Sequence, residues 1–352
     1  MRITGSRLVP YRLPLRRPWH TASGSFTERR GWLVALETDD RRTGWGDCAP
    51  WPEAGLEQQN KDEAALRYHL SRMRDVHVDA GLRQLESEQT LPPAARCGLE
   101  TALLDLLTQE AGVPLARWLN PRAAISVEVN AAVGAAGDNL AIHARTARAE
   151  GYRVLKIKVG MGLWRDELAR LRELARELPG AVQLRLDANR AWDEAEARAV
   201  CDSLADLPVE SLEEPLRHSD LGVLASMQQA VPFALALDES LGAWPFEEVL
   251  TRSPVRRLVL KPMQQGGLIR TWAMAGQARS AGMECVATTT VDSAVGVLAA
   301  SHLAAALNNG LAHGLATSSW LASDVATAPA IESGWLRLDG IGLGIGNIRE
   351  ER

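Results

Sequence analysis

The sequence predicts an α/β protein in which a closed parallel barrel, of the (β/α)7β TIM-barrel type, is joined to a smaller α+β capping domain. Its 352 residues exceed the usual size of one domain. From residue 125 onward, short apolar segments alternate with longer amphipathic ones, as in a (β/α) repeat. Nothing in the series marks a sheet edge and no G-x-G-x-x-G follows the early strands. A closed barrel is therefore favoured over an open doubly wound sheet.

The first part of the chain has a different pattern. Alternating apolar and polar residues, a glycine-rich turn and then amphipathic stretches are typical of antiparallel strands followed by helices. The strand-like segments are residues 8–13, 31–38 and 44–47, and the helical segments are residues 58–74 and 94–110. We therefore expect an α+β capping domain at residues 1–122.

The barrel is expected at residues 123–319. Its candidate strands are residues 126–132, 154–159, 182–187, 209–213, 233–238, 257–261, 284–289 and 311–317. The tail, residues 320–352, is expected to return to the capping domain. Its glycine-rich stretch at 340–346 precedes no helix, so it is interpreted as a terminal turn and not as a phosphate-binding loop.

Composition narrows the class of function. A net charge of −5, with 46% hydrophobic and 24% charged residues, gives no electrostatic reason to expect nucleic acid or a membrane as partner. No apolar stretch approaches the about 18 residues of a membrane span, and we expect a cytoplasmic protein. Cys48, Cys97, Cys201 and Cys285 are far apart and are expected to be buried free thiols. A small-molecule substrate is the expected partner, and no pattern indicates an oligomeric state.

Charged residues end five successive barrel strands. Strands buried on both faces should end in apolar residues unless their ends face a site, because an unpaired interior charge is costly. In a closed barrel these ends meet at the carboxyl-terminal face, where active sites of the fold lie. The strand ends carry Lys156-x-Lys158, Asp187, Glu213, Asp238 and Lys261.

Three of these ends are acidic. Asp187, Glu213 and Asp238, from adjacent strands, cannot all stay ionised and unpaired side by side. Their oxygen-only donor set suits Mg²⁺, and Mn²⁺ is the alternative ion. Structural ion pairs with the barrel lysines and Arg185 are the alternative. Glu214 competes with Glu213, and strand alternation allows only one of the two to point inward; we choose Glu213.

The other ends are lysines. Lys156 and Lys158 are two residues apart and so point to the same side. Each is expected to lower the other's pKa, as a lysine general base requires. Lys261 is expected to face Lys158 across the barrel. A substrate carboxylate between them would place its α-carbon between two lysines, an arrangement suited to removing the α-proton.

The motifs at these positions resemble those of the muconate-lactonizing subgroup of the enolase superfamily. The resemblance covers nearly the whole chain and includes residues 44–50 and 96–106 of the capping segment. It implies metal ligands at Asp187, Glu213 and Asp238 and acid/base roles for Lys158 and Lys261. The matching motifs are Lys156-x-Lys158, Asp187-x-Asn189, Glu213-Glu214-Pro215, Asp238-Glu239-Ser240 and Lys261-Pro262. Supporting roles are assigned to Lys156, Arg185, Asn189 and Glu239.

Two longer stretches, residues 184–192 and 288–296, are similar to those of o-succinylbenzoate synthases. The resemblance implies Mg²⁺-dependent dehydration of 2-succinyl-6-hydroxy-2,4-cyclohexadiene-1-carboxylate to o-succinylbenzoate, a step of menaquinone biosynthesis. It also implies that Thr289 and Thr290 receive the succinyl carboxylate. His20 lies in a loop that could close over the site.

Several other functions remain open. A dipeptide epimerase or N-acylamino acid racemase of the same subgroup would share the metal ligands and lysines. Epimerases of this type usually carry an acidic pair near strand eight, and residues 311–317 contain none. Mandelate-type enzymes use a histidine from strand seven, which residues 285–289 lack. A Schiff-base aldolase would leave the three carboxylates without a purpose, and a non-catalytic barrel would be expected to have lost at least one of these residues.

Overall fold

A computed structural model describes residues 1–21 and 24–349, with the backbone alone described for residues 19–21. The chain begins with a three-stranded antiparallel sheet of order β1-β2-β3. The strands are β1, Ile3–Thr21; β2, Gly24–Thr38; and β3, Thr43–Cys48. The first two are longer than the sequence predicts, because exposed polar residues continue the hairpin beyond its buried apolar stretch.

Four helices follow: α1, Gly55–Arg72; α2, Val78–Ser87; α3, Pro93–Ala111; and α4, Leu115–Leu119. The short helix α2 was not expected from the sequence. Helix α3 is buried along most of its length because the antiparallel sheet packs on one side of it and the barrel on another. One contact to the barrel is the backbone N–H of Ile269, which donates to Glu100 Oε1 at 3.0 Å.

Strand β3 approaches α3 most closely at Gly46. A Cβ added to Gly46 would overlap the carbonyl oxygen of Gly98 and would come within 3.0 Å of Ala102 N. Both contacts are to backbone, so the helix and the strand would have to separate.

We expect Gly46→Ala to lower the free energy of unfolding by about 1–3 kcal/mol, as overpacking of a tight interior does. Urea denaturation measures it. Gly276→Ala is the matched control, because an added Cβ there meets nothing within 4 Å and alanine favours a helix over glycine. Equal stability of the Gly46→Ala variant and the wild type would show that this contact is not as tight as described.

The second part of the chain forms a curled parallel sheet of seven strands in the order β5 to β11. Strand β4 is Ser126–Glu128, and the parallel strands are Ala131–Ala135, Val154–Lys158, Gln183–Asp187, Val209–Glu213, Ala234–Leu237, Arg257–Leu260 and Glu284–Ala287. Helices α5 to α12 are Leu140–Ala149, Trp164–Glu177, Glu194–Leu204, Leu221–Ala230, Phe246–Arg252, Pro262–Gln265, Leu268–Ser280 and Ala294–Leu307. The expected α/β class, a parallel barrel with an antiparallel capping sheet, is confirmed.

The first and eighth expected strands differ from the prediction. The first is divided, because β4 pairs antiparallel with a strand of the tail whereas β5 joins the barrel. Residues 311–317 form no regular strand and end in a 3-10 turn, Ala316–Trp320. Isolated parallel bridges from His313 to Val129 and from Gly314 to Thr288 nevertheless place this segment between β11 and the beginning of β5.

The tail contacts both parts of the molecule. Strands β12, Ile331–Glu332, and β13, Trp335–Arg337, form a hairpin, and β13 adds to β4. Further on, the backbone N–H of Leu343 donates to Asp105 Oδ1 in α3 at 2.8 Å. The division at residues 122/123 and 319/320 is kept as our proposal.

Two further observations concern the chain as a whole. All four cysteines are buried and unpaired, as expected. None of the helices that the structure describes combines the length and the apolar character needed to cross a bilayer.

Candidate active site at the carboxyl ends of the barrel strands

The charged strand ends lie side by side because the parallel strands are in register. The Cα of Lys158 pairs with that of Asp187, which in turn pairs with that of Glu213. Asp238 and Lys261 directly follow β9 and β10. The five residues therefore form a semicircle at one end of the barrel, with the carboxylates on β7 to β9 and the lysines on either side of them.

Lys156 binds two of the carboxylates. Its Nζ lies 2.5 Å from Glu213 Oε2 and 2.9 Å from Asp187 Oδ2. Burial by itself lowers the pKa of Lys156, but attraction to Asp187, Glu213 and Asp238 outweighs it, and the net shift is upward. The pKa of Lys156 is therefore raised and not lowered as expected, because the nearby carboxylates act on it more strongly than Lys158 does.

Lys261 occupies the opposite side of the site. Its Nζ lies 2.6 Å from Asp238 Oδ1 and 5.9 Å from the centroid of the Trp51 ring, within reach of a cation–π contact. Burial lowers the pKa of Lys261, and attraction to Asp238 raises it by more, so the net shift is upward. The sequence predicted no individual role for Trp51; an aromatic residue directly after Pro50 was the available signal.

Lys158 differs from both of these lysines. Its side chain is half-buried, and in the part of the chain that the structure describes its ammonium makes no hydrogen bond or ion pair. It acts on Asp187 only at a distance, by helping to lower the pKa of that carboxyl. Among the three lysines of the site, Lys158 is the one whose amine is free to exchange a proton with a bound molecule.

The three carboxylates do not form a ready-made cage. Among the described residues no group of three or more His, Cys, Asp or Glu side chains is placed to hold a metal ion. Lys156 and Lys261 lie against the carboxylates instead. Asp238 Oδ1 is nevertheless buried and accepts no well-directed hydrogen bond, although Lys261 Nζ is close. An oxygen-only donor set with such an acceptor fits a hard divalent cation, which would take over the charge compensation that the lysines provide.

Glu213 and Glu214 point to different sides of β8. Glu213 faces Lys156, whereas the next residue has a positive φ of 47°, which turns its side chain away. Glu214 Oε1 accepts from the backbone N–H of Asp238 at 2.7 Å and of Ser240 at 3.0 Å. Burial raises the pKa of Glu214 to about 7. Its contacts are those of a residue that fixes the turn after β9.

The other three supporting residues contact different partners. Asn189 Nδ2 donates to Glu239 Oε1 at 3.2 Å. The Cα of Arg185 pairs with that of Lys156, but its guanidinium is bonded to Glu210 Oε1 at 2.6 Å and to Asn130 Oδ1 at 3.1 Å. Arg185 therefore acts on Glu213 through its charge alone.

Three residues were predicted to bind the substrate: Thr289, Thr290 and His20. The hydroxyls of Thr289 and Thr317 are 2.6 Å apart. Both the backbone N–H and the hydroxyl of Thr290 donate to Asp292 Oδ1, so they are already used by a neighbouring carboxylate and not presented to a ligand. The side chain of His20 lies outside the described residues.

Two family models match the sequence. The mandelate racemase/muconate lactonizing enzyme N-terminal domain matches residues 3–119, and the enolase C-terminal domain-like model matches residues 139–351. The chain belongs to the enolase superfamily. Within that superfamily it falls in the muconate-lactonizing subgroup, as the strand-end motifs indicate.

Relatives within this superfamily are similar over most of their length. The chain is 30% identical to the L-Lys-D/L-Arg epimerase of Methylococcus capsulatus, covering 97% of this chain and 99% of that protein. It is 28% identical to the L-Ala-D/L-Glu epimerase of Bacillus subtilis, covering 88% and 86%. The crystal structure of an Enterococcus faecalis dipeptide epimerase complexed with Mg and L-Leu-L-Tyr superposes with a TM-score of 0.85, 24% identity and coverage of 99% and 100%. The two epimerases matched by sequence support the epimerase or racemase alternative better than the expected o-succinylbenzoate synthase.

Proposed function

We propose that the protein is a racemase or epimerase that removes and returns the proton on the α-carbon of a small carboxylate. The observation that carries the proposal is the placement of two lysines on opposite sides of three carboxylates. Lys158 ends β6 and Lys261 follows β10, and the three strands between them carry the acidic residues. A carboxylate substrate held between the lysines would present one face of its α-carbon to each.

The two lysines have different roles in this proposal. Lys158, which has no bonded partner among the described residues, accepts the α-proton as the general base. Lys261, held as an ammonium by Asp238, donates a proton to the other face. The reverse direction exchanges the two roles. Asp187, Glu213 and Asp238 would hold Mg²⁺, or Mn²⁺, which would supply neutralisation of the charge that develops on the substrate carboxylate.

The segment at strand eight favours a substrate without a free amine. A side chain on Gly314 would overlap Thr288 Oγ1, which donates to Gly314 O at 2.8 Å. The neighbouring His313 is neutral, since burial lowers its pKa to about 3. Residues 311–317 contain no Asp or Glu that could pair with an ammonium group, and Thr288 leaves no room for a side chain at position 314. We propose N-acylamino acids as the substrate class, in preference to dipeptides.

The test is α-proton exchange in D₂O with Mg²⁺ present. We expect deuterium to enter both enantiomers of an N-succinyl amino acid, accompanied by loss of optical rotation, and to enter dipeptides with a free amino terminus much more slowly. Faster exchange of the dipeptides would overturn the substrate class. Formation of o-succinylbenzoate from the cyclohexadiene acid, with no exchange of either amino acid enantiomer, would overturn the racemase and restore the dehydratase.

A further inference from the structure

A buried arginine connects the capping sheet to two loops at the mouth of the site. Arg29, on β2, is 1% exposed. Each nitrogen of its guanidinium donates to a backbone carbonyl oxygen: Nη2 to Ala49 O at 3.1 Å, Nη1 to Pro50 O at 2.9 Å, and Nε to Val291 O at 3.1 Å. One side chain therefore satisfies carbonyls from two segments that are far apart in sequence.

Both segments border the site. Residues 49 and 50 come immediately before Trp51, whose ring lies against the ammonium of Lys261. Val291 lies in the loop after β11, next to Thr289 and Thr290, at the carboxyl-terminal end of the barrel. Both loops therefore lie on the Lys261 side of the site.

Val291 adopts a conformation that requires such support. Its φ is +60°, and it is 3% exposed. A β-branched residue is a genuine outlier in the left-handed region, and strain of this kind persists only where the surroundings impose it. The bond from Arg29 Nε to Val291 O is one such constraint. The hydrogen bonds from Thr290 to Asp292, on either side of Val291, are another.

We infer that Arg29 is a positioning residue that fixes the loop at 49–51 and the loop at 289–292 relative to each other and so shapes the substrate-binding side of the site. A planar guanidinium can donate in three fixed directions at once, and a lysine ammonium has no such fork. The catalytic part of this inference rests on the proposed racemase function; the structural part does not.

The structural part is tested by amide hydrogen exchange without substrate, in Arg29→Met and Arg29→Lys. We expect roughly tenfold faster exchange in both loops, because each lost hydrogen bond shifts local opening by up to about that factor. Helix α3 should be unaffected. Arg30→Met is the matched control, since Arg30 is an exposed neighbour on the same strand paired with Glu28. Unchanged exchange in the two loops of both Arg29 variants would overturn the inference.

The catalytic part is tested by steady-state kinetics of the same variants. We expect kcat/KM to fall roughly 10²-fold in Arg29→Met, mainly through KM, as displaced binding loops produce. Adding Val291→Gly to Arg29→Lys should restore part of the loss, because glycine holds a positive φ without strain. If the Arg29 variants lose thermal stability but keep the wild-type KM, or if Val291→Gly restores none of the loss, Arg29 has a structural role only. If the two loops open faster in the Arg29 variants but the wild-type protein exchanges no α-proton, the proposed function is refuted and the structural part of the inference stands.

Discussion

Lys158→Ala is expected to lower the rate of racemisation by about 10²–10⁴-fold, the usual contribution of a positioned general base. The reason is that Lys158 is the site lysine with no bonded partner in the described part of the chain. Proton exchange should disappear for one enantiomer and persist for the other, whose α-proton faces Lys261. The measurement is deuterium incorporation into each enantiomer of an N-succinyl amino acid, followed separately by NMR.

Lys261→Ala should show the mirror image, with exchange lost only for the enantiomer that Lys158→Ala spares. Lys61→Ala is the control for removal of a lysine, because Lys61 lies on the exposed face of α1 and pairs with Glu57. Equal loss of exchange from both enantiomers in Lys158→Ala, with Lys261→Ala unaffected, would contradict a two-base reaction. It would point instead to chemistry on one face, as in a dehydration.

Removal of divalent metal is expected to have an effect of comparable size. Charge neutralisation by a bound cation is worth several kcal/mol, so dialysis against EDTA should lower turnover by about 10²–10³-fold, and added Mg²⁺ should restore it. Glu213→Gln should weaken Mg²⁺ binding directly, because Glu213 is 2% exposed and faces the other two carboxylates. Isothermal titration with Mg²⁺ measures this without substrate.

Glu214→Gln is the matched control for that experiment. It makes the same chemical change one residue further along the chain, but the side chain of Glu214 is bonded to Asp238 N and Ser240. We expect it to bind Mg²⁺ nearly as the wild type does, with a lower unfolding midpoint. Loss of Mg²⁺ affinity in Glu214→Gln but not in Glu213→Gln would show that Glu214, and not Glu213, is the metal ligand.

Local sequence patterns indicate which side chains lie together where a regular strand fixes their spacing. The alternation of a strand and the register of parallel neighbours bring Lys158, Asp187 and Glu213 to one level, and both follow from short apolar segments with charged ends. The same reasoning failed for residues 311–317. Their apolar character is that of a strand, yet only isolated bridges form, because pairing depends on partners that lie far away in the chain.

The charged residues show the same difference between what local spacing predicts and what contacts with distant segments decide. That Lys156 points into the barrel follows from its distance of two residues from Lys158. That its pKa rises follows from the carboxylates of β7 and β8, which reach its Nζ. Thr290 was expected to offer its donors to a substrate, but a turn through Val291 at positive φ brings Asp292 back onto them.

The sequence by itself determined the fold class, the end of the barrel at which charge collects and the residue types found there, because each depends on periodicity within one strand and on the fixed polarity of a (β/α) repeat. Only the tertiary structure decided which lysine is free, which glutamate faces inward and which arginine connects the loops. These depend on distances between side chains from separate elements, such as the 2.5 Å from Lys156 Nζ to Glu213 Oε2, and no periodicity along the chain encodes such distances.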